Sequence, residues 1–441
     1  MAIKVGMVSL GCPKNQMDAE LMLAKIEQAG FELTADSGYA DVVIVNTCGF
    51  IADAKQESIE NILEFAQLKK EKQIKKIIVT GCLAQRYQQE LAEEIPECDA
   101  VLGLGANGDI AAVVEQVMAG ETIRSFPSRD SWCLDGSRVL TTPHFFAYLR
   151  IADGCDNRCT YCAIPLIRGK HESVPMEQVL EEARKLAERG VKEIMVIAQD
   201  TTYYGIDLYG RRRLADLLTE LCRIEGIEWI RLHYAYPAAF PEDVIEVMAR
   251  EPKICKYLDI PFQHISDNML SAMKRRHTKA EAVELVNKLR KAIPDIALRT
   301  TLLVGYPGES DADFAELMEF VKTTKFDRLG VFPYSEEEGT YSATRLKDDV
   351  SEDVKQERVD RIMRLQERVS LENNAKRIGQ TMRVIIDRKE GDFYIGRSEY
   401  DSPEVDQEII IDSLGKRLYR GRFYDVVITD CEDYDLFASL A

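Results

Sequence analysis

Gly154-Cys155-Asp156-Asn157-Arg158-Cys159-Thr160-Tyr161-Cys162 sets three cysteines at a C-x-x-x-C-x-x-C spacing. It follows directly on an apolar run, Ala147 to Asp153, that predicts a strand. Three thiolates this close can hold three irons of a cubic [4Fe–4S] cluster. Such clusters are normally held by four cysteines, and no fourth lies nearby, which leaves one iron open to a small molecule. A cluster with an open iron suits S-adenosylmethionine, a cofactor that carries radical chemistry. The competing reading is a structural zinc site. That needs four closed ligands, and the nearest histidine, His171, stands nine residues past Cys162.

Working outward, residues 143–350 predict six strand–helix units. Candidate strands are 147–153, 192–198, 228–234, 255–260, 296–303 and 328–334; candidate helices are 176–189, 211–224, 241–250, 278–292 and 311–323. Pro175 suits a helix start, and Gly190 falls where a C-terminal cap is expected. Six such units in series predict a partial (β/α)6 barrel, with its chemistry at the carboxyl ends of the strands. The cysteine loop leaves the first strand at that end. A charged helix, roughly 351–377, follows and packs Val359, Ile362, Met363 and Val369 at near-helical spacing.

Towards the N-terminus, KVGMVSL, DVVIVN and KKIIVT predict strands, alternating with helices near Asn15 to Gln28, Asp53 to Lys70 and Gly108 to Met118. That alternation predicts a parallel α/β sheet. Each strand runs into a turn bearing a cysteine: Cys12, Cys48 and Cys82. Loops at the carboxyl ends of a parallel sheet gather on one edge, and adjacent strands are about 4.8 Å apart. Three neighbouring strand ends therefore come within reach of one cluster, a second three-cysteine [4Fe–4S] site. The competing reading makes each cysteine a small buried hydrophobe. Residues 126–142 form a turn-rich linker carrying Cys133, expected to be unligated.

The tail, 378–441, alternates short strands (TMRVIIDR, QEIIIDS, YDVVITDC) with Gly and Asp turns and predicts a small antiparallel β-barrel. It carries 8 Lys and Arg against 14 Asp and Glu. Small barrels that bind RNA present a positive face; this one fits a basic protein better. The whole chain, 441 residues at a formal charge of −18, is likewise poorly matched to gripping phosphates, and no sequence-specific nucleic acid is expected as partner. No stretch resembles a signal peptide, and no apolar run nears the roughly 18 residues of a membrane span. A cytoplasmic protein without a membrane partner is expected, in which 11 cysteines argue for metal or catalysis over disulfides.

Other strand ends carry candidate ligand groups. Tyr161 is placed to pack an adenine ring or to fill the core beneath the loop. Gln199 and Asp200 are placed to bind the amino and carboxylate ends of S-adenosylmethionine, or Asp200 simply caps the next element. Gly305 permits close backbone approach, and Glu309 either orients the ligand or serves as a helix N-terminal charge. His233 and His264 also end strands, as hydrogen-bonded filler. Cys98, Cys222, Cys255 and Cys431 lack partners at metal spacing and are expected in the core.

GCDNRCTYC is similar to the signature of radical S-adenosylmethionine enzymes. With the Cys12, Cys48 and Cys82 set and the small C-terminal barrel, the whole chain resembles the methylthiotransferase family. That resemblance implies an N-terminal methylthiotransferase domain (1–125), a radical core with its trailing helix (143–377) and a TRAM domain (378–441). SLGCPKNQMD, VNTCGFI, CAIPLIRGK and AQDTTYYGIDLYG look like the branch that modifies an aspartate of small-subunit ribosomal protein twelve. The sister branch modifies an adenosine in transfer RNA, and has Gln and Met where this chain has Pro13 and Lys14. Gln16-Met17 stands where that family commonly has Leu-Val. The resemblance implies two [4Fe–4S] clusters, on Cys12, Cys48, Cys82 and on Cys155, Cys159, Cys162. It implies S-adenosylmethionine as both methyl donor and radical source, and methylthiolation of the aspartate β-carbon. It further implies an electron donor such as flavodoxin or ferredoxin, with the substrate met on the ribosome. A non-catalytic, metal-stabilised scaffold is the reading from another class.

Overall fold

The computed structural model describes residues 2–128 and 136–441; Cys133 lies outside them. The first sheet is built from β1 (Lys4–Ser9), β2 (Glu32–Thr34), β3 (Val42–Thr47), β4 (Lys76–Gly81), β5 (Ala100–Leu102) and β6 (Ile123–Ser125), all parallel, in the order β2-β1-β3-β4-β5-β6. Helices α1 (Pro13–Gln28), α2 (Ala52–Lys70), α3 (Cys82–Glu94) and α4 (Ile110–Met118) cover its two faces. Every residue of β3, VVIVNT, is buried, as expected of a strand covered on both sides. Three strands were expected here and six are present. The additional three are each three residues long, too short to show a period.

The second sheet follows the sequence reading closely. Strand β7 (Phe146–Arg150) leads to a short hairpin of β8 (Ala152–Asp153) and β9 (Glu172–Ser173), which brackets the cysteine loop and the one-turn α5 (Ile164–Ile167). Then come α6 (Met176–Glu188), β10 (Glu193–Ile197), α7 (Ile206–Tyr209), α8 (Leu214–Cys222), β11 (Trp229–Leu232), α9 (Glu242–Arg250), β12 (Ile254–Asp259), α10 (Asp267–Ala272), α11 (Lys279–Ala292), β13 (Ala297–Val304), α12 (Asp311–Thr324) and β14 (Arg328–Pro333). The six strands pair in parallel in the order β7-β10-β11-β12-β13-β14. A short helix α13 (Tyr341–Arg345) and the long α14 (Glu352–Ala375) follow. Apolar side chains on one face of the sheet, such as Leu149, Val196 and Leu258, pack beneath the helices. Tyr148, Met195, Trp229 and Tyr257 on the other face meet Met17 of α1 and Ile385 of the tail.

The tail is a closed five-stranded barrel, β15 (Thr381–Glu390), β16 (Phe393–Ser398), β17 (Ile409–Asp412), β18 (Phe423–Cys431) and β19 (Leu436–Leu440), in the order β15-β16-β17-β19-β18. Its ladders are antiparallel except β17 with β19, which is parallel. Buried ion pairs dock it on the half-barrel: Arg397 to Glu193 at 2.7 Å and Arg328 to Asp401 at 2.5 Å. Among the described residues no helix is long and apolar enough to cross a membrane.

Candidate active site

Strands β1, β3 and β4 are neighbours, with Ser9 opposite Asn46 and Thr47 opposite Gly81. Their carboxyl ends deliver Cys12, Cys48 and Cys82 to one edge. Cys12 caps α1, where its carbonyl accepts the amides of Asn15 and Gln16 at 2.9 and 3.1 Å. The Asn15 side-chain amide donates to the Leu10, Asn46 and Thr47 carbonyls and so ties the first two loops together. Ser58 does the same for Cys48, accepting from its amide and donating to its carbonyl, each at 3.0 Å. The loops are pressed together. A Cβ on Gly11, which holds φ +88°, would lie 2.7 Å from Cys48 Sγ, and one on Gly49 would lie 2.6 Å from the Leu83 amide. Burial raises the Cys48 thiol and lifts Cys82 to about 12, against the opposing pull of Arg168. A coordinated metal inverts that balance, since a ligating thiol is deprotonated outright.

The second trio leaves the hairpin at Asp153. The Cys155 amide donates to the Gly169 carbonyl and the Cys162 amide to that of Cys159, both at 3.1 Å. Thr160, between ligand positions, is fixed by the Tyr306 hydroxyl at 2.8 Å and by the Ser342 hydroxyl on its carbonyl at 3.0 Å. Arg275 donates to Cys159 Sγ at 3.5 Å and to the Tyr161 hydroxyl at 3.4 Å. Burial raises Cys155 to about 11 and Cys162 further. Among the described residues no three His, Cys, Asp or Glu side chains close to single-ion spacing. Each trio offers three thiols, a donor set that suits three corners of an iron–sulfur cube better than a closed four-ligand zinc site.

The two trios adjoin. Cys82 packs with Leu104, Ala163 and Ile167, and Ala163 directly follows Cys162. Arg168 stands between the sites, donating to Cys82 Sγ at 3.5 Å, to Asp18 of α1 at 2.8 Å and to Asp153 at 3.1 Å. Asp18 also holds Arg150 of β7 at 2.5 Å, with both side chains fully buried. Sequence reasoning missed this bridge. Arg168 lies in the quoted CAIPLIRGK, yet its partner Asp18 is 150 residues away.

Of the other expected residues, Gln199 donates to Asp153 at 2.5 Å, while its Oε1 is buried and without a partner among the described residues. Asp200 caps Thr202, its Oδ1 taking the amide at 3.0 Å, and its other oxygen takes Asn157 of the cysteine loop at 2.8 Å. Tyr161 packs against the Met269, Met273, Tyr306 and Tyr334 cluster. Gly305 holds φ +71°. Glu309 is spent within the chain, on the Gly305 amide, His264 at 3.2 Å and Arg358 at 3.0 Å. His233 bonds Ser402 of the tail at 3.1 Å. Lys14, 5% exposed, crosses from α1 to lie over the Tyr234 ring, 2.9 Å from its centroid.

Comparison with known proteins agrees with this anatomy. The Radical SAM superfamily matches residues 149–321, the uncharacterized protein family UPF0004 residues 4–103, and the TRAM domain residues 378–440. The ribosomal protein uS12 methylthiotransferase RimO of Phocaeicola vulgatus is 48% identical over 438 residues, 99% of each chain. That of Bacteroides thetaiotaomicron is 48% identical over 439 residues, 99% of this chain and 98% of the relative. Among solved structures, the radical S-adenosylmethionine methyltransferase TsrM from Kitasatospora setae superposes with a TM-score of 0.59 over 76% of this chain and 75% of its own. At 14% identity that likeness speaks to the fold alone.

Proposed function

We infer the reaction from one premise: the chain belongs to the RimO family of radical S-adenosylmethionine methylthiotransferases. It is an enzyme that transfers a methylthio group, and its substrate is ribosomal protein uS12, modified on the β-carbon of an aspartate. Cys155, Cys159 and Cys162 hold one [4Fe–4S] cluster, and Cys12, Cys48 and Cys82 a second. When bound, the clusters and S-adenosylmethionine supply the hydrogen-abstracting radical, the methyl group and the sulfur.

The chain's own residues bind, orient and exclude water. Gln199 Oε1 is an open acceptor beside the radical trio, suited to the amino group of S-adenosylmethionine. Asp200, fixed by Asn157, lines the same wall. Tyr161 is the candidate for the adenine face. Gly305 gives its open face to the Lys355 side chain and its amide to Glu309, so these two hold the turn in shape rather than touching the ligand. The division into 1–125, 126–142, 143–377 and 378–441 is part of this proposal. So are a cytoplasmic setting, a small low-potential electron donor such as flavodoxin or ferredoxin, and capture of uS12 on the ribosome.

The observation that carries the reading is Arg168, in hydrogen-bond contact with Cys82 of one trio and with Asp153, two residues before Cys155 of the other. The test is substitution of each trio by alanine in protein reconstituted without air. Each variant should retain about four irons per chain where the wild type holds about eight. The Cys155, Cys159, Cys162 variant should lose cleavage of S-adenosylmethionine. The Cys12, Cys48, Cys82 variant should keep cleavage and lose sulfur transfer. A wild type holding one cluster, or one that modifies transfer RNA and leaves the mass of uS12 unchanged, would refute the assignment.

A further inference from the structure

Lys14 reaches out of the first turn of α1, two residues after Cys12, and ends over a ring belonging to the other sheet. Its ammonium is buried, and among the described residues it makes no hydrogen bond and no ion pair; it lies on the face of Tyr234, with burial opposing its charge and Cys12, then Asp259 and Asp153, the anionic groups that favour it. The two carboxylates that act on its charge are committed elsewhere. Asp153 serves Arg168, Gln199 and the Gly154 amide. Asp259 serves Arg299 at 3.0 Å and the Tyr234 amide at 3.2 Å. A buried cation needs a paired anion to offset its lost hydration, and a cation–π contact offsets only part of it.

The ring beneath it is held at a cost. Tyr234 has φ +57°, a backbone region that side-chain-bearing residues seldom occupy and that persists only where the surroundings impose it. Asp259 on its amide and the Thr201 amide on its carbonyl, at 3.1 Å, impose it. The result is a buried positive charge without an ion-pair partner, fixed at the seam between the sheets with Cys12, Asp259 and Asp153 around it.

We propose that Lys14 is the substrate-selecting residue, pairing its ammonium with the side-chain carboxylate of the target aspartate. This rests on the aspartate reading given above. The reacting β-carbon is bonded directly to that carboxyl carbon, so a carboxylate pinned on Lys14 places the β-carbon one bond away, at the seam the two cysteine trios share. An asparagine offers no charge, and an adenosine offers no carboxylate.

The test is anaerobic binding of reconstituted enzyme to labelled uS12 and to uS12 with its target aspartate replaced by asparagine, read by fluorescence anisotropy. Wild-type enzyme should prefer the aspartate form by about tenfold to a hundredfold, the span given by one hydrogen-bonded charge. Lys14→Met should bind both forms within about twofold, and Lys14→Arg should restore a preference. A wild-type enzyme with equal affinity for the two forms overturns the proposal, and that arm does not depend on any variant folding. Retained preference in Lys14→Met overturns it equally. Mass spectrometry of the same mixtures separates the two layers. An enzyme that methylthiolates uS12 without the Lys14-dependent preference refutes only the role of Lys14, whereas one that never modifies uS12 refutes the substrate and Lys14 together.

Discussion

Asp18→Asn breaks the bridge between the sheets while changing almost no volume. Asp18 takes one guanidinium on each oxygen, Arg150 at 2.5 Å and Arg168 at 2.8 Å, and none of the three side chains is more than 1% exposed. The asparagine carbonyl still accepts from one arginine, without the charge. Its amide nitrogen turns a donor towards the donors of the other. A hydrogen bond to a charged group contributes about 1.5–3 kcal/mol, and removing one partner of a buried ion pair costs about 3–5 kcal/mol. Arg168 retains Asp153 at 3.1 Å, which sets the loss near the lower end, about 3 kcal/mol. With a urea m-value of about 3 kcal/mol/M, the upper part of the usual range for a large cooperative unit, the midpoint falls by about 1 M. Urea titrations of wild type, Asp18→Asn, Arg168→Met and the double variant, followed by circular dichroism, measure it. Since both residues act through one contact, the double variant should lose clearly less than the sum of the singles. A single-variant shift below about 0.3 M, corresponding to under 1 kcal/mol, or strictly additive losses, would refute the bridge.

Two further outcomes follow from local geometry. Gly11→Ala puts a methyl 2.7 Å from Cys48 Sγ at a φ of +88°, so the variant should retain about four irons per chain and the electron paramagnetic signal of the radical-site cluster, while losing sulfur transfer; full iron loading would contradict the crowding at the first trio. Asp313, in the capping box of α12, is pushed up by burial but pulled further down, to about 2 from 3.8, by Ser266, the hydroxyl and amide of Ser310, and Asn268. A carboxyl whose pKa is depressed on folding gives its full stabilisation above its unfolded value and loses it as pH falls through the folded one. The stability gap between wild type and Asp313→Asn should therefore be constant above about pH 4 and close towards pH 2, as thermal melts across that range would show; a gap that does not change would contradict it.

How legible each part was depended on the range of the contacts that define it. The half-barrel strands carry long apolar runs, and five of the six were placed to within a residue or two, while the first was carried three residues past Arg150 into the short β8. Its helices announce themselves through caps such as Thr278 with Glu281. The short β2, β5 and β6 gave no pattern. Nor did α3, which opens on Cys82 itself and bends at Gln88 with φ 41°. At the site, the cysteine spacings and their strand-end turns are local and were readable. Arg168 and Lys14 look in sequence like solvated cations on a loop and a helix. Their burial exists only because α1 docks on β7, a contact between positions more than a hundred residues apart. Glu309 was readable as a helix-start charge, but its capture by His264 and Arg358 required α14 to fold back over that turn.

The bridge also accounts for how cysteines from two separate sheets act on one carbon. Loops at strand ends are the more mobile part of an α/β fold, and a misplacement on the order of 1 Å is enough to impair a positioned reaction. Here the seam is closed at two places. Asp18, Arg150, Arg168 and Asp153 close it inside, and Lys55 and Arg86 grip Glu337 at 2.9 and 2.7 Å beyond β14. Buried ion pairs are an inefficient way to gain stability compared with apolar packing, and setting register is among their best-attested uses. An apolar seam would tolerate sliding, because dispersion contacts are non-directional. A guanidinium forked between two carboxylates does not, because its planar donors accept a narrow set of geometries. The same rigidity explains why Lys14 can stay unpaired in the free enzyme: the site is shaped for an anion before the anion arrives, so little ordering cost remains when substrate binds.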